Sequence, residues 1–408
     1  MLKLGVIGMG RRISHVVKTV LNMADEASVV AVADPNEETA RSNMAQAKIE
    51  AEGVNFYADV DALIAGEQNL DGLFIGTRCN LHTPMAIKVA QLGLPLYLEK
   101  PVAVSWQQLC ELEEAYRGRE DNVVVSFPLR ATPLFQSVME TVQSGRLGTI
   151  SQIQAVNNVN YGGVYFGQWY RNYDDAGGLW LQKATHDFDY IRLIADSMPV
   201  SIAATASQRV YGGDKPHDLK CSGCDEIDTC IESSKAMRAR GDSGGMSAYA
   251  ASDDWDHMCP FSKDIRNQDS GSAIVNYANG LHASYTQNFV ARRKSYRRGA
   301  TIIGHDATLE FDWPTEKMRI MDHMREREDV VEVKASSGHA GGDAVLAQNF
   351  IDVLEGKAKS NSTLRDGLIS AATCLAARQA CHTQTFERID VPGMNKIVPQ
   401  PVRTVEPV

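Results

Sequence analysis

The chain has 408 residues, 44% of them hydrophobic and 23% charged, with a formal net charge of −10 at pH 7. That length suits two or three globular domains and excludes a mini-fold dependent on disulfides, while the composition excludes a disordered or fibrous chain. The acidic balance excludes a surface broadly attractive to nucleic acid, and no stretch approaches the roughly 18 consecutive apolar residues of a membrane-spanning helix.

Met1 leads almost directly into an apolar run at 2–8 without a basic leader or cleavage signal, so a cytoplasmic protein is expected. Glycines end that run, and Ile13, Val16, Val17, Val20 and Leu21 then recur at helical spacing, giving strand, tight turn and helix. A second apolar run, from Ser28, ends at Asp34, and 36–51 reads as a helix opening with acidic residues. The alternation continues as strand 70–76, helix 83–92, strand 94–98, helix 105–117 and strand 122–127. Strands and helices alternating in this way imply parallel pairing through right-handed crossovers, and place an α/β domain at 1–127.

Beyond Pro128 the pattern changes to helix 132–144, strand 149–160, an aromatic and Gly-rich stretch, and helix 181–195. The runs 272–278, 281–289, 299–304, 307–312 and 329–334, separated by turn signals such as Asn279-Gly280, predict a large open, mainly antiparallel sheet. A second, α+β domain is thus expected over 128–391, interrupted by a polar, Cys-rich insert at about 211–270. Helices 343–355 and 365–383 close it, and the Pro-punctuated tail 392–408 is expected to be an extended arm.

The turn Gly8-Met9-Gly10-Arg11-Arg12-Ile13 carries the first two glycines of a dinucleotide fingerprint, with Ile13 in place of the third. Gly8 suits a tight turn, Gly10 a close backbone approach, and the helix N-terminus offers N–H groups and a positive dipole to a pyrophosphate. Asp34, ending the next strand, is positioned to accept hydrogen bonds from ribose hydroxyls and to repel a 2′-phosphate, which favours NAD. Pairing of Arg11, Arg12 or Arg41 with that phosphate keeps NADP as the alternative.

Together with that turn, the segments TRCNLHTPMAIKVAQLGLPLYLEKPVAVS (77–105) and GGLWLQKATHDFDYI (177–191) resemble the Gfo/Idh/MocA family of glucose-fructose oxidoreductases, inositol dehydrogenases and rhizopine catabolism proteins. The resemblance implies a Rossmann domain binding the cofactor through Gly8, Gly10, Arg11, Arg12, Ile13, Asp34, Thr77, Asn80, His82, Glu99 and Lys100. It implies that Lys100, of the Glu-Lys-Pro motif, points from the cofactor toward substrate, and that His186 serves as general base while hydride moves to nicotinamide. Where the family has an aspartate one turn before that histidine, this chain has Gln182, so the imidazole lacks the usual carboxylate partner. A homo-oligomer, dimer or tetramer, formed through the second sheet is also implied.

Helical spacing puts Lys183, His186, Asp187 and Tyr190 on one polar face, and Lys183 and Asp187 join Lys100 and His186 as catalytic candidates. Tyr161, Tyr165, Trp169, Tyr170 and Trp180 suit stacking against a sugar ring or, equally, packing of the domain junction. The run Arg292, Arg293, Lys294, Arg297 and Arg298 suits an anionic group or a solvated face. The expected function is NAD-dependent hydride transfer at a hydroxyl carbon of a small sugar or polyol. The alternatives are a redox-neutral NAD-dependent glycosidase or lyase working by transient oxidation, and a non-catalytic dinucleotide-binding regulator. Within the insert, Cys221, Cys224, Cys230 and Cys259 have the spacing C-x₂-C-x₅-C-x₂₈-C, for which a structural zinc site is expected, with an iron–sulfur cluster as the alternative.

Overall fold

The computed structural model describes residues 2–239, 256–334 and 339–394, so most of the expected C-terminal arm and part of the insert lie outside the described residues. The first sheet contains β1 (Leu2–Ile7), β2 (Ala27–Ala33), β3 (Asn55–Tyr57), β4 (Gly72–Ile75), β5 (Leu96–Leu98) and β6 (Val123–Val125). All are parallel, in the order β3-β2-β1-β4-β5-β6. The strands β4, β5 and β6 are apolar throughout and buried at every position, as a parallel sheet covered on both faces requires. Strand order reverses between β1 and β4, and the crevice at their C-terminal ends is where this architecture binds ligands.

The predicted helix 36–51 is shorter, Glu37–Gln46, capped by Asn36, and is followed by β3 and the helix Val60–Gly66, neither of which the periodicity revealed. A three-residue strand and a two-turn helix are too short to show a hydrophobic period. The helix Gly342–Leu354 packs back on the first sheet, setting Phe350 against Phe74 and Tyr97 with ring centroids 4.9 and 5.6 Å apart. Completion of the first core therefore draws on sequence far beyond residue 127.

The second sheet comprises β7 (Ile150–Asn158), β8 (Pro199–Ser207), β9 (Ser270–Tyr277), β10 (His282–Asn288), β11 (Arg297–Gly304), β12 (Ala307–Asp312), β13 (Lys317–Asp322), β14 (Glu328–Glu332) and β15 (Glu387–Arg388). Their order is β14-β13-β12-β11-β7-β10-β9-β8-β15, antiparallel except at the β7–β10 pair. Along β9, Ala273, Val275 and Tyr277 are buried while Ile274 between them is exposed, the alternation of a sheet covered on one face. The helices Thr185–Ala195 and Leu364–Thr383 lie on the covered face, joined where Ser370 Oγ donates to Thr185 O at 2.7 Å. Helix Leu364–Thr383 also meets the first unit: a Cβ on Gly367 would stand 2.7 Å from Val102 Cγ1. Arg130 bridges Asp189 on one of these helices and Asp366 on the other, ion-pairing both in a buried setting.

The expected metal centre in the insert finds no support among the described residues. Among the described residues no group of three or more His, Cys, Asp or Glu side chains is arranged to hold a metal ion, and no disulfide joins Cys221, Cys224, Cys230 and Cys259. Burial pushes the Cys230 and Cys259 thiols up, toward the protonated form that behaves as a small hydrophobe. The described part of the insert is tied by its backbone and by polar side chains. Cys221 N donates to His257 O at 2.9 Å and Cys259 N to Leu219 O at 2.8 Å. Asp269 accepts from the amides of Arg209, Val210 and Tyr211, and Tyr211 stacks on Phe166 with centroids 4.0 Å apart.

Candidate active site

The nucleotide end of the site is built from the β1 turn. Gly8 has φ +78°, a left-handed conformation, and a Cβ there would meet Thr77 Cα at 2.9 Å, so glycine is required on both counts. Gly10 caps the helix Arg11–Met23, and a Cβ there would make an ordinary van der Waals contact with Gly76 O at 3.7 Å. That helix has no side-chain N-cap bond and no acidic residue in its first turn, leaving its N-terminal amides and dipole available to an anion. Ile13 stands where the third glycine would be, and the close helix–strand contact is supplied from the other side. A Cβ on Gly76 would lie 2.4 Å from Ile13 Cβ.

Asp34 anchors the end of β2, accepting from Met9 N at 3.0 Å and Asn36 N at 2.9 Å. Arg11 is exposed. Arg12 turns inward, donating from Nε to Glu99 at 3.0 Å and from both Nη atoms to Asp343 at 2.7 and 2.9 Å. Glu99 also accepts from Ser126 Oγ at 3.0 Å, so Arg12 and Glu99 form a structural clamp beneath the site. His82 is likewise occupied, its ring nitrogens lying 2.8 Å from Pro101 O and 3.2 Å from Thr77 O. It thereby ties the loop after β4 to the one after β5. Asn80 bonds Asp175 through Nδ2 at 3.2 Å, and its Oδ1 is buried without a partner among the described residues.

From the end of β5, Lys100 reaches across to the second unit, donating to Gln182 O at 2.7 Å and Oε1 at 3.3 Å. Burial lowers its pKa to about 8; Cys79 and Glu99 pull the other way, and no carboxylate pairs with it among the described residues. Gln182 and Lys183 lie in a π-helical turn, Trp180–Ala184, that leads into the helix Thr185–Ala195. Such turns redirect side chains and recur at functional sites. Lys183 donates to Tyr161 OH and lies 4.6 Å from the centre of that ring. Burial lowers the Lys183 pKa. His186 is buried between Phe127 and His339, ring centroids 6.0 and 6.4 Å away, with Nδ1 unpartnered among the described residues. Burial, reinforced by Lys100, Arg298, His339 and Lys183, holds its pKa well below the ordinary histidine range, so the imidazole is neutral.

The single polar face predicted for this helix is divided. Asp187 points into the sheet, accepting from Asn157 Nδ2 at 2.7 Å, Tyr285 OH at 2.8 Å and Arg298 Nε at 2.9 Å. Tyr190 OH follows it to Gly299 O at 3.3 Å. Neighbours on a helix diverge by about 100°, so the sheet takes one pair and the cleft the other. Asp187 is thereby a positioning residue for Arg298, which the basic run does not single out; along β11 Arg297 is exposed while Arg298 alternates inward. Of the aromatic group, Trp180 is core, stacked with Phe188, whereas Trp169 stacks on Tyr170 and carries Arg78 over its ring at 4.0 Å. His339 and Asp343, 2.9 Å apart, complete the rim, and no motif announces them.

Residues 2–127 match the model of the oxidoreductase family with an NAD-binding Rossmann fold, and residues 135–310 match the GFO/IDH/MocA C-terminal domain. Among curated relatives, YteT of Bacillus subtilis is 25% identical over 313 residues, 69% of this chain and 72% of that protein. The inositol 2-dehydrogenase of Rhizobium meliloti is 26% identical over 211 residues, 50% of this chain and 58% of the relative. Among solved structures, levoglucosan dehydrogenase in complex with NADH and L-sorbose superposes with a TM-score of 0.74 at 16% identity, covering 95% of this chain and 99% of the other. The WlbA dehydrogenase of Bordetella pertussis, in complex with NADH and UDP-GlcNAcA, gives 0.67 at 18% identity, with coverage of 95% and 99%. No helix among the described residues is long and apolar enough to cross a membrane.

Proposed function

The chain belongs to the Gfo/Idh/MocA family of NAD-binding oxidoreductases, and from that premise we propose that it transfers a hydride between nicotinamide and a hydroxyl-bearing carbon of a small sugar or polyol. The observation that carries the proposal is the meeting of Lys100, from the nucleotide-binding unit, with the Gln182–His186 segment of the other unit across one crevice. The bound dinucleotide supplies the hydride acceptor. Gly8, Gly10 and the open helix N-terminus would hold its pyrophosphate, and Asp34 would accept from its ribose hydroxyls, favouring NAD over NADP. Lys100, with a pKa of about 8, donates a hydrogen bond to the reacting oxygen, and neutral His186 lines the same crevice and orients the substrate.

Support for the substrate class comes from the relatives, whose names include inositol and levoglucosan dehydrogenases. The test is a panel of sugars and polyols followed at the NADH absorbance band, with Lys100→Ala and His186→Ala alongside. Each variant is expected to lose at least about 100-fold in kcat/KM with little change in NADH affinity. Wild-type turnover in either variant would remove that residue from the chemistry, and substrate cleavage without net NADH would move the reaction to the redox-neutral class.

A further inference from the structure

Tyr161 lies in the loop after β7, its phenolic oxygen accepting a hydrogen bond from Lys183 Nζ, with the centre of the Tyr165 ring 6.2 Å from that of its own. Its surroundings are strongly one-sided. Lys183 faces it from the π-helical turn, Arg298 from β11 and Lys100 from the end of β5, and the phenols of Tyr165, Tyr170 and Tyr296 also neighbour it. Two carboxylates lie beside these cations and both are already engaged: Asp187 by Arg298, Asn157 and Tyr285, and Glu99, next to Lys100, by Arg12 and Ser126. Among the described residues neither Lys100 nor Lys183 has a carboxylate partner, and Arg298 Nη2 is buried with no partner. Buried positive charge left unpaired is costly, so the cluster favours an anion in its midst.

Resting on the proposed hydride transfer, we propose that Tyr161 is the proton acceptor of the reaction, as a phenolate hydrogen-bonded by Lys183. The substrate O–H bond breaks, its proton passes to the phenolate oxygen, and the hydride leaves the same carbon for NAD⁺. Products are a carbonyl compound, NADH and neutral Tyr161, and the reverse reaction returns the proton. Burial alone would raise the phenol's pKa, but Lys183 and then Arg298 outweigh it and bring it to about 8. His186 is the less suitable acceptor, because a proton there would create another cation beside Lys100, Lys183 and Arg298. Lys183 thus acts through Tyr161 as a positioning residue.

The tyrosinate can be observed without any substrate. Alkaline titration of the full chain, followed at the near-ultraviolet tyrosinate difference band, should show one of the 13 tyrosines ionising near pH 8. That step should vanish in Tyr161→Phe, which keeps the ring, and move up by at least about one pH unit in Lys183→Met. With the substrate identified by the panel above, Tyr161→Phe should lower kcat/KM at least about 100-fold at constant NADH affinity, and the acid limb of the Lys183→Met pH profile should follow its optical titration. Absence of a tyrosine ionising below pH 9, or its survival in Tyr161→Phe, overturns the proposal. Full turnover by Tyr161→Phe where Lys100→Ala is impaired also overturns it and leaves the oxidoreductase reading standing. Wild-type protein that transfers hydride to or from no member of the panel overturns both.

Discussion

Replacing Lys100 by Met should make the protein more stable at pH 7 while disabling it. The ammonium is taken out of water with only the carbonyl and amide oxygens of Gln182 as acceptors, and its pKa falls from 10.5 to about 8. That lowering corresponds to roughly 3 kcal/mol against the charged form. Met fills a similar volume without charge, but it leaves Gln182 O without its donor, at a cost of about 1–2 kcal/mol. The net gain expected at pH 7 is therefore about 1–2 kcal/mol. Between pH 8 and 10.5 the unfolded lysine binds a proton that the folded one has released, so wild-type stability rises with pH across this window, whereas below pH 8 the penalty is constant. The advantage of Lys100→Met should thus hold below pH 8, shrink through the window, and reverse near pH 10.5, where only the lost hydrogen bond remains. Urea denaturation of both proteins at pH 7 and 10.5 measures the difference, with other titrating groups common to the two chains. A variant less stable than wild type at pH 7, or a difference indifferent to pH, would refute the reasoning.

Asp187→Asn should cost about 3–5 kcal/mol, because it leaves the Arg298 guanidinium buried and unpaired; chemical denaturation measures this, and a loss below about 1 kcal/mol would show that the pair is dispensable. Gly76→Ala should weaken NADH binding and cost about 1–3 kcal/mol by forcing the helix Arg11–Met23 away from β4, with recovery in the double variant Gly76→Ala, Ile13→Gly, which removes the clashing Cβ. Fluorescence titration with NADH and denaturation midpoints of wild type and the two variants decide it. Asp34→Ala should weaken NAD binding and reduce discrimination against NADP, read as the ratio of the two dissociation constants; an unchanged ratio would show that Asp34 is not the selector.

The first unit was legible because its signals are local. Apolar runs ending at Gly8 and Asp34, and helical periodicity after Gly10, depend only on chain geometry and the burial of one face, and they place β1, β2 and the helix between them within a residue or two. Lys100 and His186 were likewise marked by the short motifs around them. What the sequence could not decide is which partner each polar group meets, since that depends on residues hundreds of positions apart. Arg12 looks like a phosphate ligand beside its glycines, yet Asp343 takes it, 331 residues away. Asp187 looks like a neighbour of His186 in catalysis, yet Arg298, Asn157 and Tyr285, brought together by sheet register, draw it to the opposite side. The four cysteines of the insert have a ligand-like spacing, but spacing alone does not set the geometry in which thiols meet, and the described part of that segment is tied through backbone hydrogen bonds and Asp269. Local periodicity determines where elements form; only long-range packing determines which charges remain unpaired, and the surplus of cations around Tyr161 is a property of the folded chain alone.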